Sequence, residues 1–316
     1  AGLISPRSVV RSHFPLPFKF QIHPNNDNLI VMENYKKKIT AIIVLYDVTE
    51  IIFDCLKNLN NINIIIADNG KNNSEIIKRI KEKKNVIKYF RFKKNIGFGR
   101  ACNFCFRYVE TDYTLLIEPD VIIEENDLIN LASSIDRYPG TGITVPTLVD
   151  DKKKIIDKLE NLPELNSLNH YHKYDGSFDY DVCVNFCWAA ILLLNNKIIK
   201  KTGLFDKKFF IFWEDFYLCR KFKKKGIPII KIFDSKAFHK AKSSTRKTIK
   251  SNFIINKHHL LSSYIYFNVN KKEFFLKKKL MIYFFRSISY ILILNLNKSL
   301  KNFARLCAVI TYINQK

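Results

Sequence analysis

Short apolar runs alternate with amphipathic segments along much of the chain. Residues 39–45 (ITAIIVL) and 63–67 (NIIIA) read as strands, the first continuously apolar as in a strand buried on both faces of a parallel sheet. Three more strands are predicted at 86–90, 113–117 and 142–145, and the helices between and after them at 51–59, 74–83, 98–109 and 127–138. This alternation predicts an α/β fold, a Rossmann-like, mostly parallel sheet flanked by helices.

The pattern is weaker on either side of this block. Residues 1–38 contain four prolines and little periodicity, so we expect an irregular arm. Residues 151–181 are polar and read as a loop, 182–194 are apolar and return to the core, and 227–233 form a last strand.

The end of the chain has a different composition, rich in aromatic residues and lysine. Residues 281–296 are apolar except for Arg286 and polar residues such as Ser287, and fall short of the ~20 residues of a spanning helix. Flanking lysines suit an amphipathic helix in a membrane interface, with a helix packed on the catalytic domain as the alternative. We therefore expect a catalytic domain over 39–245 and a helical, basic extension over 246–316.

The charge of the chain is strongly positive, with 53 Lys and Arg against 29 Asp and Glu, a net +24. Such a field favours phosphates, nucleic acid or an acidic membrane surface. A nucleic-acid-binding protein would place its basic residues in one stripe beside stacking aromatics. Here they are scattered and no standard binding motif is present, so nucleic acid is not the expected partner and remains only the non-enzyme alternative.

The seven cysteines do not predict a disulfide framework, because their number is odd and the chain is long. Cys102 and Cys105 form a CxxC inside a predicted helix, and no second pair at zinc-finger spacing follows. Reduced core thiols of a cytoplasmic protein are the better interpretation.

Two adjacent carboxylates, Glu214 and Asp215, directly follow an aromatic run. A carboxylate held against an apolar wall has a pKa high enough to accept a proton near neutrality, which suits a general base. The alternative is the acidic first turn of a helix, where these residues complement the macrodipole.

Further acidic residues lie at the predicted strand ends, where ligands bind in α/β sheets. Asp68 could accept hydrogen bonds from a base or a ribose, although Asp-Asn-Gly also suits a simple turn. Glu118 and Asp120 offer hard oxygens that can hold Mg²⁺ or Mn²⁺ against a diphosphate, or they flank a turn built on Pro119.

A glycine-containing segment opens the predicted helix at 98–109. Gly97 and Gly99 allow the backbone to approach a ligand, and a helix N-terminus with Arg100 favours phosphate. The third glycine of a dinucleotide fingerprint is replaced by Cys102, which argues against a nicotinamide enzyme. His239, after the last strand, is either structural or a metal or phosphate ligand.

Taken in order, these motifs resemble the family 2 inverting glycosyltransferases of GT-A fold, and in particular their rhamnosyltransferase-like branch, which builds bacterial surface polysaccharides. The resemblance covers residues 38–244. It is carried by Ala67-Asp68-Asn69-Gly70, Asn95-x-Gly97-Phe98-x-x-Ala101-x-Asn103, Glu118-Pro119-Asp120-Val121, Gly203-Leu204-Phe205-Asp206, Phe209-Phe210-x-x-x-Glu214-Asp215, His239 and Ser243.

The resemblance implies a role for each matching position. Asp215 would be the catalytic base, and Glu214 would orient the acceptor. His239 would join Asp120 at a divalent metal, Mg²⁺ or Mn²⁺. The residues implied to bind the nucleotide-sugar are Tyr46, Asp68, Asn95, Gly97, Asn103, Glu118 and Asp120.

The implied reaction is one inverting displacement that moves a hexose or a rhamnose-like deoxyhexose from a nucleotide-diphosphate sugar to a hydroxyl of a glycan. A lipid-linked glycan acceptor, an anionic membrane surface and a peripheral place at the inner face of the cell membrane are expected. A sugar nucleotidyltransferase is the enzyme alternative. Such enzymes carry a glycine-rich loop after the first strand, where this chain has Tyr46-Asp47-Val48-Thr49.

Overall fold

The computed structural model describes residues 26–70, 72–157, 162–163, 180–240, 248–269 and 274–315. Its strands are β1 (Ile39–Leu45), β2 (Asn63–Asp68), β3 (Val86–Arg91), β4 (Tyr113–Ile117), β5 (Val121–Ile123), β6 (Ile143–Val149), β7 (Val182–Cys183), β8 (Ile191–Asn195) and β9 (Ile229–His239). Its helices are α1 (Asn26–Lys37), α2 (Ile52–Lys57), α3 (Ser74–Lys81), α4 (Phe98–Phe106), α5 (Glu125–Arg137), α6 (Asn196–Thr202), α7 (Glu214–Lys224), α8 (Ile249–Phe267), α9 (Phe274–Leu292) and α10 (Leu296–Asn314).

One sheet organises the fold, in the order β3-β2-β1-β4-β8-β6-β9-β5, with β7 paired to β9. Strands β3, β2, β1 and β4 are parallel, which confirms the predicted α/β architecture. Strand β8 runs antiparallel to both β4 and β6, while β6 and β9 are parallel. The apolar pattern could not predict this reversal, because a strand buried on both faces reads the same in either direction.

The sheet separates two hydrophobic cores, since successive side chains of a strand point to opposite faces. Ile43 and Ile64 belong to the core under α2, α3 and α5, whereas their neighbours Ile42 and Ile65 belong to the core under α4, α6 and α7. The central strands are therefore covered on both sides, as their continuous apolar sequence predicts.

Two elements differ from the prediction. Residues 26–37 of the expected irregular arm form helix α1, which packs against α5. The Tyr35 hydroxyl donates to Asp136 at 2.9 Å, and Lys36 pairs with Glu125 at 2.6 Å. Tertiary contacts of this kind leave little trace in a local pattern. Strand β9 also continues to His239, beyond the predicted end at 233, because its polar second half pairs with β5 and β6.

The last three helices form a small bundle with its own core, in which α10 packs against both α8 and α9. The prediction of a single helix over the apolar run 281–296 is wrong. The run contains the end of α9, a turn and the first residue of α10. Leu294 has a left-handed φ of +55°, and Asn295 accepts a hydrogen bond from the Lys298 N–H to start α10. Among the described residues, no helix combines the length and apolar character needed to cross a membrane.

Candidate active site

The carboxyl ends of neighbouring strands bring the predicted acidic residues to one edge of the sheet. Asp68 is the last residue of β2, and Glu118 directly follows β4. Strand β5 starts one residue after Asp120 and pairs with β9 in the register Val121 to His239. That pairing carries His239 to Asp120 across more than a hundred residues of chain.

Glu118, Asp120 and His239 form a compact cluster. The Nε2 atom of His239 lies 3.6 Å from Glu118 Oε2 and 3.6 Å from Asp120 Oδ1. One potential ligand atom from each of the three residues lies within 4.8 Å of the others. These separations are too long for hydrogen bonds but suit three ligands around a small cation.

The chemistry of the cluster fits a divalent metal. Asp120 is 1% exposed, yet its Oδ1 atom, which faces His239 Nε2, has no hydrogen-bond partner. A buried polar atom without a partner costs free energy unless a ligand satisfies it. A carboxylate oxygen beside an imidazole and a second carboxylate is a suitable donor set for Mn²⁺ or Mg²⁺.

The crowding of charge shifts the pKa values in this cluster. Burial, the charge of Asp120 and, to a smaller extent, that of Asp215 raise the pKa of Glu118 to about 7, although His239 opposes them. Burial disfavours the protonated form of His239, but Asp120 and Glu118 outweigh it, so its pKa is raised. The cluster therefore attracts positive charge, either protons or a cation.

Glu214 and Asp215 occupy the first turn of α7, as the sequence predicts. The helix follows two residues in left-handed conformation, Phe212 (φ +68°) and Trp213 (φ +67°). Bulky residues adopt this conformation only when the surrounding structure imposes it, and such strain is common at functional sites. The sequence carries no glycine or other local signal of this turn.

The two carboxylates of α7 have different environments. Glu214 is buried, and its Oε2 atom has no hydrogen-bond partner. Burial, with the charges of Asp215 and Glu118, raises the pKa of Glu214 to about 8. Asp215 is half-buried, and one of its oxygens accepts a hydrogen bond from the Phe216 N–H at 2.8 Å. Because Asp215 also raises the pKa of Glu118, the two acidic groups act as one electrostatic site.

Asp68 is fully buried and already holds several partners. Its Oδ1 accepts from the Gly70 N–H at 2.8 Å and from the Asn72 side chain, and its Oδ2 accepts from the Tyr89 hydroxyl. Arg91 lies 3.7 Å from Oδ2. The carboxylate thus shapes the loop after β2, and Tyr89 and Asn72 are neighbours that the sequence did not reveal.

The Asn95–Asn103 motif (residues 95–103) makes its visible contacts with the loop that leads to α7. Gly97 has φ +90°, and a Cβ atom there would lie 2.2 Å from the Phe210 carbonyl oxygen. Asn103 donates to the Phe205 carbonyl at 2.7 Å and accepts from the Phe205 N–H at 3.0 Å. Asn95 accepts from the Gly97 N–H at 2.8 Å, which shapes the turn. These residues position the loop before α7, while their contacts to a nucleotide stay a prediction.

Helix α8 holds the same loop from the other side. The Ser262 hydroxyl donates to the Ile211 carbonyl at 2.9 Å. The Trp213 ring lies in contact distance of His259, Tyr266 and Phe267, with centroids 6.0, 5.2 and 5.4 Å away. The sequence assigned no role to the His258-His259 pair, which lies in this contact.

An open cleft of about 370 Å³ lies beside the ends of β1 and β2. Its lining comes from the segment after β1 and from the start of α3, namely Asp47, Val48, Thr49, Glu50, Asn72, Asn73 and Ile76. Tyr46, another predicted nucleotide contact, immediately precedes this lining and is half-buried. Ser243, from the closing motif, lies outside the described residues.

Comparison with known proteins supports this architecture. Residues 40–202 match the model of a family described as glycosyl transferase family 2. The rhamnosyltransferase WbbL of Escherichia coli strain K12 is 24% identical over 245 residues, which cover 71% of this chain and 90% of that protein.

Solved structures show the same fold at low identity. A mannosyltransferase, PcManGT from Pyrobaculum calidifontis, solved with GDP-Man and Mn²⁺, has a TM-score of 0.53 at 13% identity, over 89% of this chain and 75% of its own. TarS 1-349 of S. aureus with UDP-GlcNAc has a TM-score of 0.52 at 12% identity, over 87% of this chain and 89% of the TarS chain. GalNAc-T7 with UDP, GalNAc and Mn²⁺ has a TM-score of 0.54 at 12% identity. The match covers 67% of this chain but only 45% of the GalNAc-T7 chain.

Proposed function

The chain belongs to glycosyl transferase family 2, and from this premise we propose that it moves a hexose or a rhamnose-like deoxyhexose from a nucleotide-diphosphate sugar to a hydroxyl of a glycan, with inversion. The observation that carries the proposal is the cluster of Glu118, Asp120 and His239 at the end of the sheet, in which His239 Nε2 lies 3.6 Å from an oxygen of each carboxylate. The carboxylates of α7 interact with Glu118, because Asp215 raises the pKa of Glu118 and Glu118 raises the pKa of Glu214. Family membership also favours this reaction over the nucleotidyltransferase and nucleic-acid-binding alternatives.

Asp215 is the proposed base. It is half-buried at the N-terminus of α7, where an acceptor hydroxyl can reach it. Glu214, with a pKa of about 8, is largely protonated at pH 7 and can donate a hydrogen bond that orients the acceptor. Asp215 then takes the hydroxyl proton as the oxygen attacks the anomeric carbon from the face opposite the nucleotide. One displacement inverts the configuration, so no carboxylate nucleophile is required.

Asp120 and His239, helped by Glu118, would hold a divalent metal at the donor diphosphate. Asp120 Oδ1 is buried without a hydrogen-bond partner, and His239 Nε2 faces both this atom and Glu118 Oε2 at 3.6 Å. A bound Mg²⁺ or Mn²⁺ would neutralise charge on the departing nucleotide diphosphate. PcManGT and GalNAc-T7 were solved with Mn²⁺, which supports a metal at this place.

The nucleotide of the donor is proposed to bind beside the ends of β1 and β2. Tyr46 directly follows β1, Asp68 is the last residue of the adjacent strand β2, and the open cleft lies next to both. Asn95, Gly97 and Asn103 keep the neighbouring loop in place. Asp68 would act there through a loop that it already shapes.

The acceptor is proposed to be a growing glycan on a lipid carrier, with the protein peripheral at the inner face of the cell membrane. The positive net charge and the basic C-terminal helices support this location, because anionic lipids attract such segments. The rhamnosyltransferase relative motivates the choice of donor sugar.

The proposal is tested by thermal unfolding of the purified protein with a panel of dTDP- and UDP-sugars, with and without Mn²⁺. We expect one nucleotide class to raise the melting temperature in a metal-dependent way, because a ligand that binds only the folded state stabilises it. Asp120→Ala should lose the shift, and Asp151→Ala, an exposed acid outside the site, should keep it. The absence of a shift with every sugar nucleotide would contradict the proposal.

A further inference from the structure

The turn between α9 and α10 exposes an unusual concentration of apolar side chains. Leu292 is 78% exposed, Ile293 67%, Leu294 86% and Leu296 68%. The outer face of α9 continues the surface with Met281, Phe284, Phe285, Ile288 and Ile291, each at least 41% exposed. Apolar surface of this extent and continuity marks an interaction site. We refer to residues 284–296 as the hairpin tip.

Three backbone N–H groups of the turn in the hairpin tip already have partners, which favours burial in an apolar medium. The three N–H groups of the turn donate to carbonyls in the last turns of α9, with Ile293 bonded to Ser289, Leu294 to Ile291 and Asn295 to Tyr290. The Asn295 side chain accepts from the Lys298 N–H and thereby caps α10. The turn can therefore leave water without stranding its backbone donors.

The tip is also held rigidly. Ser287 and Ser299 face each other between the helices, and both are buried. The Ser299 hydroxyl donates to the Ser287 carbonyl at 2.9 Å, and the two hydroxyl oxygens lie 3.2 Å apart. These hydrogen bonds join the end of α9 to the start of α10 beside the exposed apolar side chains.

The charge around the tip identifies its partner. No Asp or Glu occurs between residues 274 and 316, whereas Arg286, Lys298 and Lys301 are exposed close to the turn. At 1.5 Å per residue they lie roughly 3–9 Å along the helices behind the apolar turn. Apolar groups of an interfacial protein sit about 5–10 Å into the headgroup boundary, which places these cations at the anionic headgroups.

We propose that the hairpin tip inserts edge-on into an anionic phospholipid bilayer and that Arg286, Lys298 and Lys301 bind the lipid headgroups. A second copy of this chain is a poorer occupant, because it would bring the same positive charges against one another. The inference rests on the membrane location within the proposed function and assigns it to a specific element. In this arrangement the turn enters the bilayer, whereas the apolar run in the sequence suggested a helix lying flat in the membrane interface.

The bundle also connects the tip to the active site. Helix α10 packs against α8, and α8 holds the loop before Glu214 through Ser262 and the contacts of Trp213. A bilayer contact at the tip would therefore orient the catalytic loop relative to the membrane surface through one continuous packed unit.

Flotation of the full chain with vesicles of phosphatidylcholine alone, or with phosphatidylglycerol added, tests the proposal without donor or acceptor. We expect binding to the anionic vesicles and at least a tenfold loss in the variant Leu292→Ser/Ile293→Ser/Leu294→Ser/Leu296→Ser. Each charge removed in Arg286→Gln, Lys298→Gln and Lys301→Gln should lower binding by about fivefold. Ile87→Ser/Ile155→Ser, which removes exposed apolar residues elsewhere, should bind as the native chain does.

Equal vesicle binding by the tip variant and the native chain would overturn the proposal. So would a native dimer in solution that the tip variant converts to a monomer without any vesicle binding. Leu294→Trp provides a second measurement that keeps the apolar surface, with insertion expected to make its fluorescence sensitive to quenching by brominated lipid. Because the nucleotide-induced thermal shift is measured without membranes, failure of insertion and failure of the transferase proposal are distinguishable.

Discussion

The acidic site at the end of the sheet and the hairpin tip depart from ordinary folding rules in opposite directions. The site buries carboxylates, with Asp120 at 1% and Glu214 at 7% exposure, while the tip leaves Leu294 at 86%. Folding alone favours neither arrangement, since buried charge and exposed apolar surface both cost free energy. Both departures fit a binding partner outside the protein, a cation or polar ligand at the site and an apolar medium at the tip.

The largest expected effect is a loss of kcat on substitution of Asp215 in the acidic site. Asp215→Asn should lower kcat by about 10²–10⁴-fold, because it removes the proton acceptor while keeping the side-chain shape. Substrate KM should change little. Steady-state transfer to a glycan acceptor measures the effect, with Asp234→Asn, an exposed acid of β9, as the control. If Asp215→Asn stays active while Glu214→Gln does not, the roles of the two carboxylates are reversed.

A second substitution tests whether the motif at residues 95–103 holds the catalytic loop. Gly97→Ala should lower the free energy of unfolding by roughly 2 kcal/mol or more, because its Cβ would collide with the Phe210 carbonyl. Urea unfolding measures this change. Gly140→Ala is the matched control, with φ +86° and open space around it, and should cost only about 1–2 kcal/mol of backbone strain. Equal effects would show that the close approach at Gly97 is unimportant.

The smallest expected effect concerns helix α8, which connects the helical bundle of the hairpin tip to the loop before Glu214. Ser262→Ala removes the hydrogen bond to the Ile211 carbonyl and should cost about 1 kcal/mol of stability. Its kcat should fall several-fold while vesicle binding is unchanged, because the loop before Glu214 loses support. Ser263→Ala removes a bond within α8 itself, to the Leu260 carbonyl, and should leave kcat unaltered. If both variants behave alike, α8 does not position the loop.

The fold was largely predictable from the sequence, because most of its strands and helices have recognisable local patterns of apolar residues. Continuous apolar runs such as residues 39–45 and helical spacing such as that of 74–83 report burial directly. The direction of β8 and the existence of α1 were not predictable, because both depend on contacts with distant parts of the sheet. The turn inside the run 281–296 was missed because it contains no glycine or proline.

For the candidate site, the local sequence predicted which residue types lie at the strand ends and at the start of α7, because strand ends and acidic first turns are recognisable within a few residues. The family resemblance implied that His239 joins Asp120, but the contact itself comes from the pairing of β5 with β9, which joins segments far apart in the chain and also brings in Glu118. The contacts of Asn103 and Gly97 with the loop before α7 were visible only in the folded chain. Contacts of this kind depend on packing between elements, which no local pattern records.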